Sequence, residues 1–288
     1  MTARDDLMRA DTIAEQLFFT TVRIDTIAEP SVSGSGTGFI VNYPVENQTA
    51  HFLVTNKHVV HGKSQGWVTF HTEADSKVNL GSGFRLEIGN WEDAWIGHPD
   101  ADIDIAITPL NPMIEHIRAQ HNVGVYYKAV PHSIFLNDDT VENLDALEQV
   151  TFIGYPNGIW DEVNQLPVVR RGMTASPLSL DFNGHPQFVI DASVFGGSSG
   201  SPVFLYSSGM YSDRAGSTII GSRAIFVGVV TAVFFRTALN KVIRIPIPTS
   251  EQQMVEQSEM LDLGIVTKAR AVSETIETFL VSKGLLSA

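Results

Sequence analysis

Cysteine is absent from the whole sequence. That excludes a disulfide framework, a thiolate nucleophile and any Cys-ligated zinc. Positive charge is scarce too, with 19 Lys and Arg against 32 Asp and Glu and a formal net charge of −13. A surface so charged repels nucleic-acid phosphates and anionic membranes, and neither is an expected partner. No apolar run approaches the ~20 residues of a membrane-spanning helix. The opening MTARDDLMRADTIAEQLFF carries acids ahead of any apolar stretch and lacks the core of a secretory signal. A cytoplasmic protein is expected, so the sequon Asn47-Gln48-Thr49 is given no weight.

What remains is hydrophobic enough, at 43% of 288 residues, to bury a large core. Residues 3–18 set Leu7, Ala10, Ala14 and Leu17 at spacings of three and four, the stripe of a short helix that Thr2 can cap. Short β-type runs follow, broken by turn residues: FFTTVRI, GFIVNY, HFLVTNKHVV, GWVTFHT, FRLEIG and DIAITPL. Residues 112–146 are mixed and polar and read as a connection. A second set of runs comprises QVTFIGY, LPVVRRGM, QFVIDASV, SPVFLY, AIFVGVVTAVFF and LGIVTKA. Asn183-Gly184 marks a turn between the second and third of these, because both residues tolerate positive φ. Residues 236–262, with Pro246 and Pro248, read as a surface insertion interrupting the strands. Val272, Ile276 and Leu280, closed by Lys283-Gly284, predict a C-terminal helix over 271–286. The expected fold is all-β: two packed barrels, over 17–112 and 146–270 of a single 1–288 domain, with a short helix at each end.

Three segments carry chemistry. Ser199 lies in Phe195-Gly196-Gly197-Ser198-Ser199-Gly200-Ser201-Pro202. A serine hydroxyl attacks only when a base takes its proton and donors await the oxyanion. Flanking glycines let the backbone turn sharply and aim N–H groups at one point; the plainer alternative is a flexible Gly/Ser loop. His58 ends the run LVTNKHVV, with His51 and His61 as local rivals. Asp104 lies in Ala101-Asp102-Ile103-Asp104-Ile105-Ala106-Ile107, where acids alternate with apolar residues as on a strand. An inward acid there must be paired, which suits a carboxylate held against an imidazole, whereas an outward set is only a solvated edge.

Several other frames fail. Asp100, Asp102 and Asp104 begin like a calcium loop, but Ile105 replaces the required glycine and Asn111 the closing glutamate. Gly196-Gly197-Ser198-Ser199-Gly200 fits the G-x-S-x-G of α/β-hydrolases, which would select Ser198. That fold needs a histidine after the serine, and the last one here is His185. The run Gly34–Gly38 lacks the last glycine of a dinucleotide fingerprint, and Gly62-Lys63-Ser64 has Lys57 where a P-loop needs glycine. No metal or cofactor is expected.

The order His58, Asp104, Ser199 is that of the chymotrypsin fold. The segments GTGFIV, TNKHVV, DIAI, IGYPNG and IDASVFGGSSGSPVF, in this order, give a chain that resembles trypsin-like peptidases of the HtrA (Deg) type over residues 17–283. The resemblance implies two six-stranded antiparallel barrels with a cleft between them. His58 and Asp104 would come from the first barrel and Ser199 from the second, with the N–H groups of Gly197 and Ser199 as oxyanion hole. It implies a serine endopeptidase working through a Ser-His-Asp triad and an acyl-enzyme, with a polypeptide as substrate. Ser198 stands where secreted zymogens carry an Asp that pairs with a freed N-terminus, so activation of that kind is not expected. The PDZ domain usual in HtrA proteins is not expected after the C-terminal helix.

By the same resemblance Ser193, with Val194 beside it, lies at the base of the primary specificity pocket. Thr231, Ala232 and Val233 form the strand that binds substrate backbone, and 236–262 overhang it. No acid sits there to hold Lys or Arg, so a neutral apolar side chain is expected before the cut bond; the alternative is that all five are ordinary strand residues. Two other functions stay open: a catalytically silent relative acting as a binding module, and a subunit fired by an activating partner or by homo-oligomerisation.

Overall fold

The computed structural model describes residues 8–28, 32–46, 48–242 and 253–287, with the backbone alone at 32, 235–242 and 253–260. Thr2, Leu7, Asn47, Pro246 and Pro248 lie outside the described residues. The first helix, α1 (Ile13–Leu17), is shorter than the stripe predicts. Ala10 sits at φ 55°, in the left-handed region, and breaks any helix arriving from upstream. The cap is Thr12, whose hydroxyl accepts from the Glu15 N–H while the Glu15 carboxylate takes the Thr12 N–H.

The first lobe is one sheet of nine strands: β1 (Thr21–Ala28), β2 (Val32–Val45), β3 (Gln48–Thr55), β4 (Gln65–Ala74), β5 (Lys77–Glu87), β6 (Ile96–Gly97), β7 (Ala106–Pro109), β8 (Val125–Tyr126) and β9 (Val130–Pro131). Its hydrogen-bonded path runs β5-β4-β1-β2-β3-β7-β6, with β8 on β4 and β9 on β2. Helix α2 (Lys57–Val60) follows β3, and α3 (Asn111–His121) follows β7. After the short α4 (Asp138–Val141) the second lobe closes as a six-stranded barrel, β10-β11-β12-β17-β16-β13. Its strands are β10 (Gln149–Gly154), β11 (Val168–Thr174), β12 (Gln187–Asp191), β13 (Pro202–Ser207), β16 (Arg223–Val242) and β17 (Gln253–Lys268). A small hairpin, β14 (Met210–Ser212) with β15 (Thr218–Ile220), projects between β13 and β16.

Two expectations change here. Of residues 236–262, expected to interrupt the strands, the described ones, 236–242 and 253–262, are strand: β16 and β17 pair from Gly228↔Lys268 out to Val242↔Gln253, with bulges near Thr231 and Phe234. Asn183 and Gly184 do turn at positive φ, but at the end of a longer connection between β11 and β12.

Helix α5 (Ala269–Ser282) begins two residues earlier than predicted. It ends where Gly284, at φ 69°, donates to the Val281 carbonyl and Leu285 donates to the Leu280 carbonyl. Its buried face, Val272, Ile276 and Leu280, joins a cluster that also takes Phe39, Phe52 and Val54 from the first lobe and Phe204 and Phe226 from the second. Phe226 is the hub, with its ring centroid 5.2 Å from Phe39, 5.7 Å from Phe204 and 4.6 Å from Phe135. Aromatic contacts at such distances stabilise beyond simple burial, so the lobes share one core beneath the cleft. Among the described residues no helix is long and apolar enough to cross a membrane.

On β4, His71 packs edge-on against Phe19 at 5.1 Å and its Nδ1 has no partner. Burial pushes its pKa down to about 4. The unfolded chain, near ~6.5, therefore takes up the proton first as pH falls. Stability contributed by neutral His71 is complete above about pH 6.5 and is lost as pH falls toward 4, about 3 kcal/mol in all. His71→Phe keeps the packing and removes the titration. Urea midpoints at neutral pH and at pH near 4.5 should fall less for the variant than for the wild type, and an equal fall would contradict this account.

Candidate active site

The turn after β3 decides where His58 goes. Val59 and Val60 of α2 enter the first-lobe core, which leaves the His58 side chain at the cleft, 49% exposed. Its backbone N–H donates to Asp104 Oδ1 at 3.0 Å, and its Nδ1 lies 2.5 Å from Asp104 Oδ2. Both carboxylate oxygens are thus committed to one residue. A carboxylate facing Nδ1 holds the proton of neutral imidazole there, and Nε2 is left as the lone-pair atom.

Asp104 is not on a strand, which corrects the expectation for residues 101–107: β7 starts at Ala106. The segment before it is a turn, in which the Ile103 N–H donates to the Asp100 carbonyl and the Asp102 N–H to Asp100 Oδ1. The alternation survives as burial, with Ile103 and Ile105 inside and Asp102 exposed. The Asp104 side chain is 25% exposed. Asn56, fully buried, donates from Nδ2 to the Asp104 carbonyl at 2.7 Å and reaches the Thr231 hydroxyl at 3.5 Å. The Lys57 ammonium donates to the Asp100 carbonyl at 2.7 Å; burial lowers its pKa, opposed by Asp104, Asp100 and Asp102.

Ser199 arrives from the other lobe, on the loop between β12 and β13. Its carbonyl accepts from the Thr37 N–H of β2 at 2.9 Å, and the next residue, Gly200, donates to the Val230 carbonyl of β16 at 2.9 Å. Gly200 lies at φ 86°, and a Cβ there would overlap the Thr37 carbonyl oxygen and lie 2.6 Å from the Thr55 hydroxyl. Thr55 precedes His58 by three residues, and its partner across the ladder, Ala106, follows Asp104 by two. The three predicted residues therefore converge on one cleft. Ser198 is 1% exposed, so a substrate cannot reach its hydroxyl, whereas Ser199 is half-buried.

The loop also aims its amides. Gly197 is at φ 81°, where a Cβ would collide with the Tyr155 carbonyl oxygen. The Gly196 carbonyl accepts from the Asn157 N–H, and the Ser198 carbonyl accepts from Ser201 at 3.0 Å. In a trans peptide the N–H points opposite to its C=O. The N–H groups of Gly197 and Ser199 are thus turned away from those contacts, and among the described residues neither has a protein acceptor.

The other expected residues divide. Ser193 is half-buried beside the cleft loop, while Val194, 2% exposed, packs inside the second barrel. Val194 stands beside Ser193 in the chain, with its own side chain in the core, where its apolar surface is worth most. Ala232 is exposed and Val233 half-buried, and the Thr231 hydroxyl lies 2.8 Å from that of Thr267. Thr37, Asn56 and Asn157 were passed over in the sequence, although each stands in a motif, GTGFIV, TNKHVV and IGYPNG. The signals that mark them differ: Thr37 is polar inside the run of β2, Asn56 stands at the N-cap after β3, and Asn157 sits in the Pro-Asn-Gly turn after β10.

The model of the trypsin-like peptidase domain matches residues 36–210, more than half of the chain and a span that holds His58, Asp104 and Ser199. The chain belongs to the trypsin-like peptidase family. No curated protein sequence matches it. Among solved structures it is similar to a protease of M. tuberculosis in its active form, at 18% identity and TM-score 0.46, covering 92% of this chain and 82% of that one. It is also similar to an HtrA-type protease with a decapeptide, at 14% identity and TM-score 0.45, covering 98% and 67%. A third is a protease of Arthrobacter nicotinovorans, at 12% identity and TM-score 0.43, covering 90% and 94%.

Gly200→Ala tests the close approach in this trypsin-like peptidase. The methyl group must push β2 away from the Ser199–Gly200 segment at a backbone angle that disfavours any side chain. The melting temperature should drop by several degrees and turnover should be lost. A variant with unchanged melting and turnover would show that the lobes do not meet there as described.

Proposed function

We propose that the protein is a serine endopeptidase with Ser199 as nucleophile, His58 as general base and Asp104 as the group that orients the base. The observation that carries this reading is the pairing of both Asp104 oxygens with His58, beside an accessible Ser199 and a buried Ser198. His58 Nε2 takes the Ser199 proton as Oγ bonds to the scissile carbonyl carbon. The negative oxygen so formed is met by the N–H groups of Gly197 and Ser199. Collapse of that adduct breaks the peptide C–N bond, with His58 returning the proton to the leaving amine, and leaves an acyl group on Ser199. Water, deprotonated by the same His58, then hydrolyses the ester and restores the serine. Asp104 stabilises the imidazolium throughout and keeps its own charge. Thr231, Ala232 and Val233 would hold the backbone on the acyl side, with Ser193 at a neutral pocket.

Steady-state turnover of a peptide substrate by four variants tests the assignment. Ser199→Ala should abolish turnover apart from a weak remnant, and Ser198→Ala should keep most of it. Asp104→Asn should cost roughly 10³- to 10⁴-fold through the wrong tautomer, and exposed Asp102→Asn much less. Reversal within either pair would overturn it.

A further inference from the structure

A cleft of about 630 Å³ opens beside this site, lined by β1, β2, β4, β5 and the loop after β10. Its charged lining residues are Arg23, Asp25 and Arg85. Two guanidiniums facing one carboxylate leave a surplus positive charge, in a chain whose net charge is −13. Both guanidiniums lie over tryptophan rings, Arg23 over Trp160 at 5.1 Å and Arg85 over Trp67 at 4.5 Å. One face of each ring is therefore occupied by a guanidinium, which sets cationic N–H groups into a cleft whose lining is otherwise largely apolar. The edge of Arg23 is already spent, with Nε and Nη2 each 2.9 Å from Asp25 Oδ1. Arg85 is not spent. Among the described residues its nearest carboxylate oxygen, on Asp25, is 3.9 Å away, and the side chain is 54% exposed.

The cleft lies on a definite side of Ser199. The Ser199-Gly200 segment is flanked by β16 at Val230 and by β2 at Thr37. If β16 holds the acyl side, the leaving chain departs along β2. There the Ser35 hydroxyl lies 3.3 Å from the position a Cβ on Gly197 would take, and Gly34 and Ser33, one and two residues upstream, line the cleft. At a rise of ~3.4 Å per residue that places the cleft beside the second or third residue after the cut bond.

We propose that this cleft is a subsite that selects a carboxylate side chain, Asp or Glu, at the second or third position on the leaving side of the substrate, with Arg85 as the specificity-determining residue. A guanidinium held flat by an aromatic ring has its donor fork set for two-point contact with a carboxylate, whereas a lysine offers only a point charge. The proposal rests on the peptidase reading for its substrate.

The test uses acetylated, amidated hexapeptides with leucine before the expected cut and either Asp or Asn at the second or third position after it. Binding to the Ser199→Ala chain, which does not cut them, is read from the fluorescence of Trp67 and Trp160 and by calorimetry. At one of the two positions the Asp peptide should bind about five- to tenfold tighter than its Asn counterpart. The ratio should fall to about one in Ser199→Ala/Arg85→Gln and invert in Ser199→Ala/Arg85→Glu. Equal binding of Asp and Asn peptides at both positions, absence of binding, or a preference that survives Arg85→Gln overturns the subsite. Hydrolysis of the Asn peptides by the wild type is followed in parallel. Its absence counts against the peptidase reading and leaves the binding ratio to judge the cleft, so the two failures are distinguishable.

Discussion

Thr37 is where the two lobes are fastened, and each of its polar groups is used. Its N–H donates to the Ser199 carbonyl at 2.9 Å and its hydroxyl to the Gly197 carbonyl at 3.0 Å. The same hydroxyl accepts from the Tyr155 N–H at 3.1 Å, and the Thr37 carbonyl accepts from the Thr55 hydroxyl at 2.7 Å. The residue is fully buried, so every one of these bonds is made out of competition with water and losing any of them strands a polar group. Glycine at 200 follows from this: the loop between β12 and β13 passes so close to the Thr37 carbonyl that no side chain fits. The cluster around Phe226 supplies the apolar adhesion beneath, but hydrophobic burial has no direction. The hydrogen bonds of Thr37 set the register at which the loop and β2 meet.

The site is assembled from groups that are each half-committed to structure. Asp104 ties its carbonyl to Asn56 and its carboxylate to His58, so the acid cannot turn without breaking the turn that carries it. Asn157 fixes the direction of the Gly196–Gly197 peptide from a loop that also bears Trp160, a wall of the neighbouring cleft. The loop at Gly196–Gly197 and the wall of the neighbouring cleft thereby rest on the same short segment.

The fold class was legible because short runs broken by turn residues have a period that only strands satisfy, and α5 because Val272, Ile276 and Leu280 share one helical face. The candidates His58, Asp104 and Ser199 came from chain order and from flanking glycines, two of which, Gly197 and Gly200, do turn at positive φ. Three things were not legible. Ala10 at positive φ, which shortens α1, is a backbone fact with no side-chain signal. The outer part of the β16–β17 pairing was hidden by the two prolines, Pro246 and Pro248, and by the Gln-, Glu- and Ser-rich run that opens β17, which carry no strand pattern. Val194 reads like its neighbour Ser193, and only the closed barrel shows that Val194 packs in the core while Ser193 stays half-buried.

One measurement tests the central claim most directly, that Ser199 is the hydroxyl activated by His58. The folded wild-type protein is treated with a fluorophosphonate, which bonds covalently to an activated serine, and the adduct is located by peptide mapping. The account predicts a single adduct on Ser199, lost in His58→Ala with the fold intact. An adduct on Ser198, or labelling of Ser199 that is indifferent to His58, would contradict it.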